Sequence, residues 1–187
     1  LLPDQYFERI FEDAKGDLWV LNQSHGLYRI NNNNQITTYF KDTTLETSLS
    51  SIAQGKNDDL YVGSLTKGLF KYNHTQDEFI QIENSQKLPV KSLLINAEAE
   101  VMVGTDGKGL WLYDPATDKI QENDFSIANF DFTKTKIHSI IQDEANNFWL
   151  GIYQKGALLV PDKANNFDYI GYQSVKNLSL IHISEPT

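Results

Sequence analysis

One frame of residues occurs four times along this chain, and it constrains the fold more than any other feature. GDLWVLNQSHGLYRI at 16–30 is followed by DDLYVGSLTKGLFKY at 58–72, AEVMVGTDGKGLWLY at 99–113 and NNFWLGIYQKGALLV at 146–160. With the copies anchored on Trp19, Tyr61, Met102 and Trp149, the separations are 42, 41 and 47 residues. Seven residues beyond each anchor stands a glycine (Gly26, Gly68, Gly109, Gly156), and nine before it an aliphatic residue (Ile10, Ile52, Leu93, Ile140). Both neighbours of every anchor are apolar.

Each unit divides into four short apolar segments, FERIF, LWVL, GLYRI and QITTYF in the first and SIAQ, LYVG, GLFKY and EFIQIE in the second. Their Val, Ile, Tyr, Phe and Trp content suits a pleated surface, while Asn, Asp, Gly and Lys between them supply turns. The third segment is apolar on both faces, as in Leu110, Trp111, Leu112 and Tyr113, so each sheet must be packed between neighbours. Four strands in a repeat of about 40–50 residues predict a β-propeller blade. The expected fold is therefore all-β: a propeller fragment of four four-stranded blades, at approximately 7–40, 50–83, 91–121 and 137–172, forming an incomplete ring. The glycine before each third strand, and Gly63, Gly104 and Gly151 after the second, are expected to allow tight backbone turns. The long spacing before the last copy places an insertion at 121–136, between the outer strand of one blade and the inner strand of the next.

Sixteen basic against 25 acidic residues give a net charge of −9, which repels phosphate backbones and argues against nucleic acid as a partner. There is no cysteine, so neither a disulfide framework nor a thiolate metal site can form. No apolar run reaches the roughly 18 residues of a membrane-spanning helix. The last ten residues, LSLIHISEPT at 178–187, resemble the translation of a transposase adapter used in sequencing libraries. The native propeller fragment is accordingly expected to occupy 1–177, with 178–187 excluded from the fold.

The frame resembles the two-component regulator propeller repeat, whose pattern runs from an aliphatic pair and Asp, through a Gly-containing turn, to Leu-Trp-aliphatic-Gly-Thr and Gly-Leu-x-x-Tyr. IFEDAKGDLWVL, VMVGTDGKGLWLYDP and IIQDEANNFWLG match it. The second copy departs from it with Gly55 where the first and fourth carry Asp13 and Asp143, and the fourth has GALLV for GLxxY. The resemblance covers about 7–172. It implies a periplasmic sensor propeller in an inner-membrane-anchored bacterial protein, which senses an oligosaccharide and controls a histidine kinase or diguanylate cyclase outside this sequence. It further implies that the remaining blades and output domains of a longer chain are the partners, with a homodimer of the full-length protein possible. A propeller enzyme such as a streptogramin-lyase-like lyase and a protein-interaction scaffold are the alternatives.

The usual nucleophile elbow, phosphate loop and zinc-helix motifs are absent, and no catalytic residue, metal ligand or cofactor is expected. The acidic residues Asp13, Asp17, Asp58, Asp59, Glu98, Glu100, Asp143 and Glu144 fall between first and second strands, where carboxylates commonly accept turn hydrogen bonds. The column ahead of the repeated glycine, His25, Lys67, Lys108 and Lys155, suggests a partial cationic ring at the channel mouth, accompanied by Gln23, Thr66, Asp106 and Tyr153. These eight are the candidate ligand-binding residues. The alternative for the lysines is a simple solvated turn.

Overall fold

A computed structural model describes residues 7–22, 26–41, 48–55, 58–123 and 131–161, together with the backbone of 169–170. Gln23, His25 and 178–187 lie outside the described residues. Among the described residues, sixteen strands form four antiparallel sheets, each built from four consecutive strands in order. Blade 1 contains β1 (Arg9–Glu12), β2 (Leu18–Asn22), β3 (Gly26–Ile30) and β4 (Ile36–Tyr39). Blade 2 contains β5 (Leu49–Gln54), β6 (Leu60–Ser64), β7 (Gly68–Asn73) and β8 (Glu78–Gln81). Blade 3 contains β9 (Val90–Ile95), β10 (Val101–Thr105), β11 (Leu110–Asp114) and β12 (Lys119–Glu122), and blade 4 β13 (Ile137–Gln142), β14 (Phe148–Ile152), β15 (Gly156–Val160) and β16 (Tyr169–Ile170). The first strands meet across blade boundaries, β5 beside β9 and β9 beside β13, so they line the inside of an arc that does not close into a ring. The all-β propeller arc expected from the repeat is the fold observed.

Strand alternation gives each blade a head face toward the preceding blade and a tail face toward the following one. The tail face of blade 1 (Phe11, Trp19, Leu21, Leu27, Tyr39) packs on the head face of blade 2 (Leu49, Ile52, Leu60, Val62, Tyr72). The same arrangement joins blade 2 to blade 3 through Tyr61, Leu69, Val90 and Val103, and blade 3 to blade 4 through Met102, Leu110, Ile140 and Leu158. With neighbours on both sides, β6 and β10 are buried at every position.

The two glycine columns work differently. Gly68 has φ +82, and a Cβ there would collide with the Ser85 carbonyl; its equivalents Gly26, Gly109 and Gly156 also have positive φ. This column fits the expected backbone turn. Gly63, Gly104 and Gly151 instead lie within second strands, outside the positive-φ region. What they avoid is a clash of side chains: a Cβ on Gly63 would sit 2.5 Å from Ser51 Oγ and press on Val90 of the next blade, and one on Gly104 would lie 2.9 Å from Ile137 Cγ2. Gly63 and Gly104 are close-approach residues between blades, and Gly151, where a Cβ would meet Ser139 of its own sheet, is likewise not a turn residue.

Candidate functional site

The face carrying the second-to-third-strand turns is organised by one repeated hydrogen bond. The amides of Leu65, Asp106 and Tyr153 donate to the carbonyls of Ser48, Pro89 and Lys136 respectively, just ahead of the first strand of the same blade. Asp106 and Tyr153 therefore hold equivalent places in blades 3 and 4. Lys136 joins them across the blade boundary, with its Nζ 2.8 Å from Asp106 Oδ1 and 5.8 Å from the centroid of the Tyr153 ring. The Asp106 contact raises the Lys136 ammonium above its ordinary pKa. His138 completes the group, its ring centroid 4.8 Å from that of Tyr153. Tyr153 is 47% exposed, so this aromatic and ionic cluster presents an open platform.

The first strands beneath this face share an irregularity. In β5, β9 and β13 the register skips one residue, leaving Ser50, Lys91 and His138 outside the ladder as bulges. Ser50 turns inward, its hydroxyl donating to the carbonyls of Gly63 and Val90, whereas His138 is exposed.

The other predicted residues do not all join the cluster. Thr66 and Lys67 donate their amides to Ser64 Oγ, which caps the turn. Lys108 makes the corresponding bond to Thr105 Oγ1, and its ammonium is held 2.8 Å from the Lys87 carbonyl. Lys155 donates its amide to the Ile152 carbonyl. The structure thus brings together Asp106 and Tyr153, adds Lys136 and His138, and tethers Lys108 to a neighbouring loop. A cue to the two added residues was present in the sequence: both lie at the start of the first strand, opposite the predicted turn.

The opposite face, with the first-to-second and third-to-fourth turns, carries a second arrangement. Asp13 Oδ1 accepts the amides of Lys15 and Asp17, and its Oδ2 accepts the Trp19 indole N–H at 2.8 Å. Asp143 repeats this in blade 4 with Ala145, Asn147 and Trp149, and the bonds from Asn147 and Trp149 hold its carboxyl below the usual range. The carboxylates are turn acceptors, as expected for Asp13 and Asp143. Asp and Trp are kept or lost together: blade 2 has Gly55 with Tyr61, and blade 3 has Asn96 with Met102. The Tyr61 hydroxyl is consequently buried without a hydrogen-bond partner.

Between blades 1 and 2 on this face lies a cavity of about 330 Å³ lined by Asp13, Arg29, Gln54 and Asp77 among others. Arg29 Nε lies 2.9 Å from Asp17 Oδ2, and its Nη1 donates to Tyr72 Oη at 3.0 Å. Tyr39 and Tyr72 both donate to Asp77 Oδ1. Partial burial alone would raise the Asp77 carboxyl, but the two hydroxyls and Arg29 outweigh it and hold the group low. Burial and the Asp77 bond push both tyrosines up. Blades 2 and 3 carry a simpler version: Lys71 pairs with Asp59 at 3.0 Å and Tyr113 donates to Asp118. Between blades 3 and 4 the equivalent positions are Leu112 and Val160, and the contact is apolar. Sequence reasoning missed these clamps, although the spacing of Tyr72 from Asp77 and of Tyr113 from Asp118 is the same.

This architecture recurs among solved structures. The arc superposes on the extracellular domain of a hybrid two-component system from B. thetaiotaomicron with a TM-score of 0.71 and 22% identity, covering 93% of this chain and 24% of that one. A second such domain from the same organism gives 0.71 at 18% identity, over 94% and 23%. Virginiamycin B lyase from Staphylococcus aureus gives 0.70 at 11% identity, over 90% and 56%. These likenesses establish the fold. The chain spans about a quarter of the length of the two-component domains it matches. No family model and no curated protein matches it.

Proposed function

We propose that this chain is a ligand-sensing propeller segment of a bacterial signalling protein. It lies in the periplasm, is anchored to the inner membrane through the rest of the polypeptide, and controls a downstream kinase or cyclase output outside this sequence. The observation that carries this reading is the superposition of 93% of the chain on a two-component extracellular domain. The Asp–Trp turns add support, because they are the columns by which the sequence resembles the two-component regulator repeat. The ligand is an oligosaccharide bound on the second-to-third-turn face. Tyr153 offers an exposed ring there, while Asp106, Lys136 and His138 offer polar groups. Thr66, Lys67, Lys108 and Lys155 extend the same face across the blades.

Extending the reading frame in the source DNA tests the sensor reading. A membrane-spanning helix followed by a kinase or cyclase is expected, whereas a stop codon soon after the last blade overturns it in favour of a free-standing lyase or scaffold. Titration of the full-length product with neutral and uronic-acid oligosaccharides tests the ligand face. Tyr153→Ala is expected to weaken binding by about tenfold, the worth of one lost stacking contact.

A further inference from the structure

The interface of blades 1 and 2 and that of blades 2 and 3 follow one pattern, and the second lacks an aromatic ring that the first contains. At the first, Tyr39 stands opposite Leu27 and its hydroxyl donates to Asp77 Oδ1 at 2.6 Å. Its ring packs against Trp19, Tyr72 and Phe79, with centroids 5.4, 5.9 and 5.4 Å away. At the second, the residue bonded opposite Leu69 is Ile82, and Phe79, paired with Tyr72, has its counterpart in Ile120, paired with Tyr113. The acceptor is nevertheless kept: Asp118 follows Tyr113 by five residues as Asp77 follows Tyr72, with φ +54 against +53. Among the described residues Asp118 accepts one hydroxyl, from Tyr113 at 2.8 Å, where Asp77 accepts two and pairs with Arg29.

A cavity of about 460 Å³ opens at that place, lined by Lys71, Ile80, Ile82, Tyr113 and Asp118 among others. Ile80 is 46% exposed and lies on the same side of its sheet as Lys71, its cross-strand partner. Because the Lys71 ammonium is paired with Asp59, the cavity offers aliphatic and aromatic walls with one carboxylate acceptor. Its volume is that of a small-molecule site. Blades 2 and 3 are both flanked by blades of this chain, so the cavity is not an end of the arc.

We propose that this cavity binds a small free phenol, its ring held between Ile80, Ile82 and Tyr113 and its hydroxyl donating to Asp118, as Tyr39 donates to Asp77. Burial of the ring removes apolar surface from water, and the bond from hydroxyl to carboxylate is charge-assisted. Asp118, in the third-to-fourth turn, places the site on the face opposite the Tyr153 platform. The inference does not rest on the sensing role.

Calorimetric titration of the full-length product with p-cresol, whose ring and hydroxyl are those of a tyrosine side chain, tests this. Saturable binding is expected. Toluene fills the same space but leaves Asp118 without the second donor, and should bind at least about tenfold more weakly. Asp118→Asn keeps the shape and tolerates the positive φ, and should weaken p-cresol binding about tenfold. Ile82→Tyr supplies the missing ring from within the chain, so it should abolish p-cresol binding with thermal melting at or above wild type; if that variant does not fold, toluene and Asp118→Asn decide. Tighter binding of N-acetyltyrosinamide than of p-cresol would overturn the free-phenol assignment in favour of a tyrosyl side chain on a partner protein. No p-cresol binding, equal affinity for toluene, full affinity in Asp118→Asn, or wild-type binding by a folded Ile82→Tyr overturns the site itself.

Discussion

Trp19 and Tyr61 occupy the same position in successive blades, yet only Trp19 has a bonded polar atom. Because the Tyr61 hydroxyl is buried without a partner, Tyr61→Phe should leave stability unchanged or raise it slightly. Tyr113→Phe removes a 2.8 Å bond to Asp118 and should cost about 1 kcal/mol; paired urea melts would read the difference. Asp77 gives a pH signature. Its depressed carboxyl contributes stability above the ordinary aspartate value near 3.9, and that contribution is lost as pH falls through the lower folded value. The raised tyrosines act at the other end, where stability is lost as pH rises above about 10. Asp77→Asn should flatten the acid limb of a pH–stability profile; an unchanged limb would show that the carboxylate is not coupled to folding. The clamp around Asp77 was hard to see in the sequence because Arg29 and Asp77 are 48 residues apart. No local pattern relates them until two blades are placed side by side.

At the scale of the strand, most of the architecture was legible. Alternating apolar residues, polar turns and a fixed period specify four-stranded blades, because a strand buried on both faces must be apolar on both. The role of Gly63 and Gly104 was not legible, since the atoms that exclude a side chain include Val90 and Ile137 of the next blade. Gly104→Ala would push a methyl toward Ser92 and Ile137 and should cost about 1–3 kcal/mol. Gly55→Ala, with its nearest neighbour at 3.6 Å and no positive φ, should change stability by less than about 0.5 kcal/mol. Thermal denaturation of the two variants checks whether crowding, rather than loss of glycine as such, sets the effect. Of the candidate site, the turn column was legible as a position in the repeat. The grouping of Asp106 with Lys136 was not, because it depends on where the strand after the 121–136 insertion re-enters the arc.

For the whole molecule, stability should be graded along the arc. Repeat proteins gain stability from interfaces between neighbours; among the described residues blades 2 and 3 have two each, and blades 1 and 4 have one. Hydrogen exchange should therefore be slowest in β6 and β10, buried throughout, and faster in β1 and in β13, which keep exposed positions. Uniform protection across the four sheets would mean that the arc opens as one cooperative unit.

The bulges in β5, β9 and β13 bear on how such a chain can diversify. Ser50, Lys91 and His138 are respectively small and neutral, basic, and aromatic, although the strands around them keep matching registers. A residue outside the ladder can be exchanged without shifting its neighbours to the wrong side of the sheet. Blades 3 and 4 thus each have a position, Lys91 and His138, where mutation can alter the chemistry displayed while the packing code stays intact, and His138 lies beside the Tyr153 platform. Descendants of such a gene can acquire new recognition one repeat at a time, each step leaving the scaffold foldable.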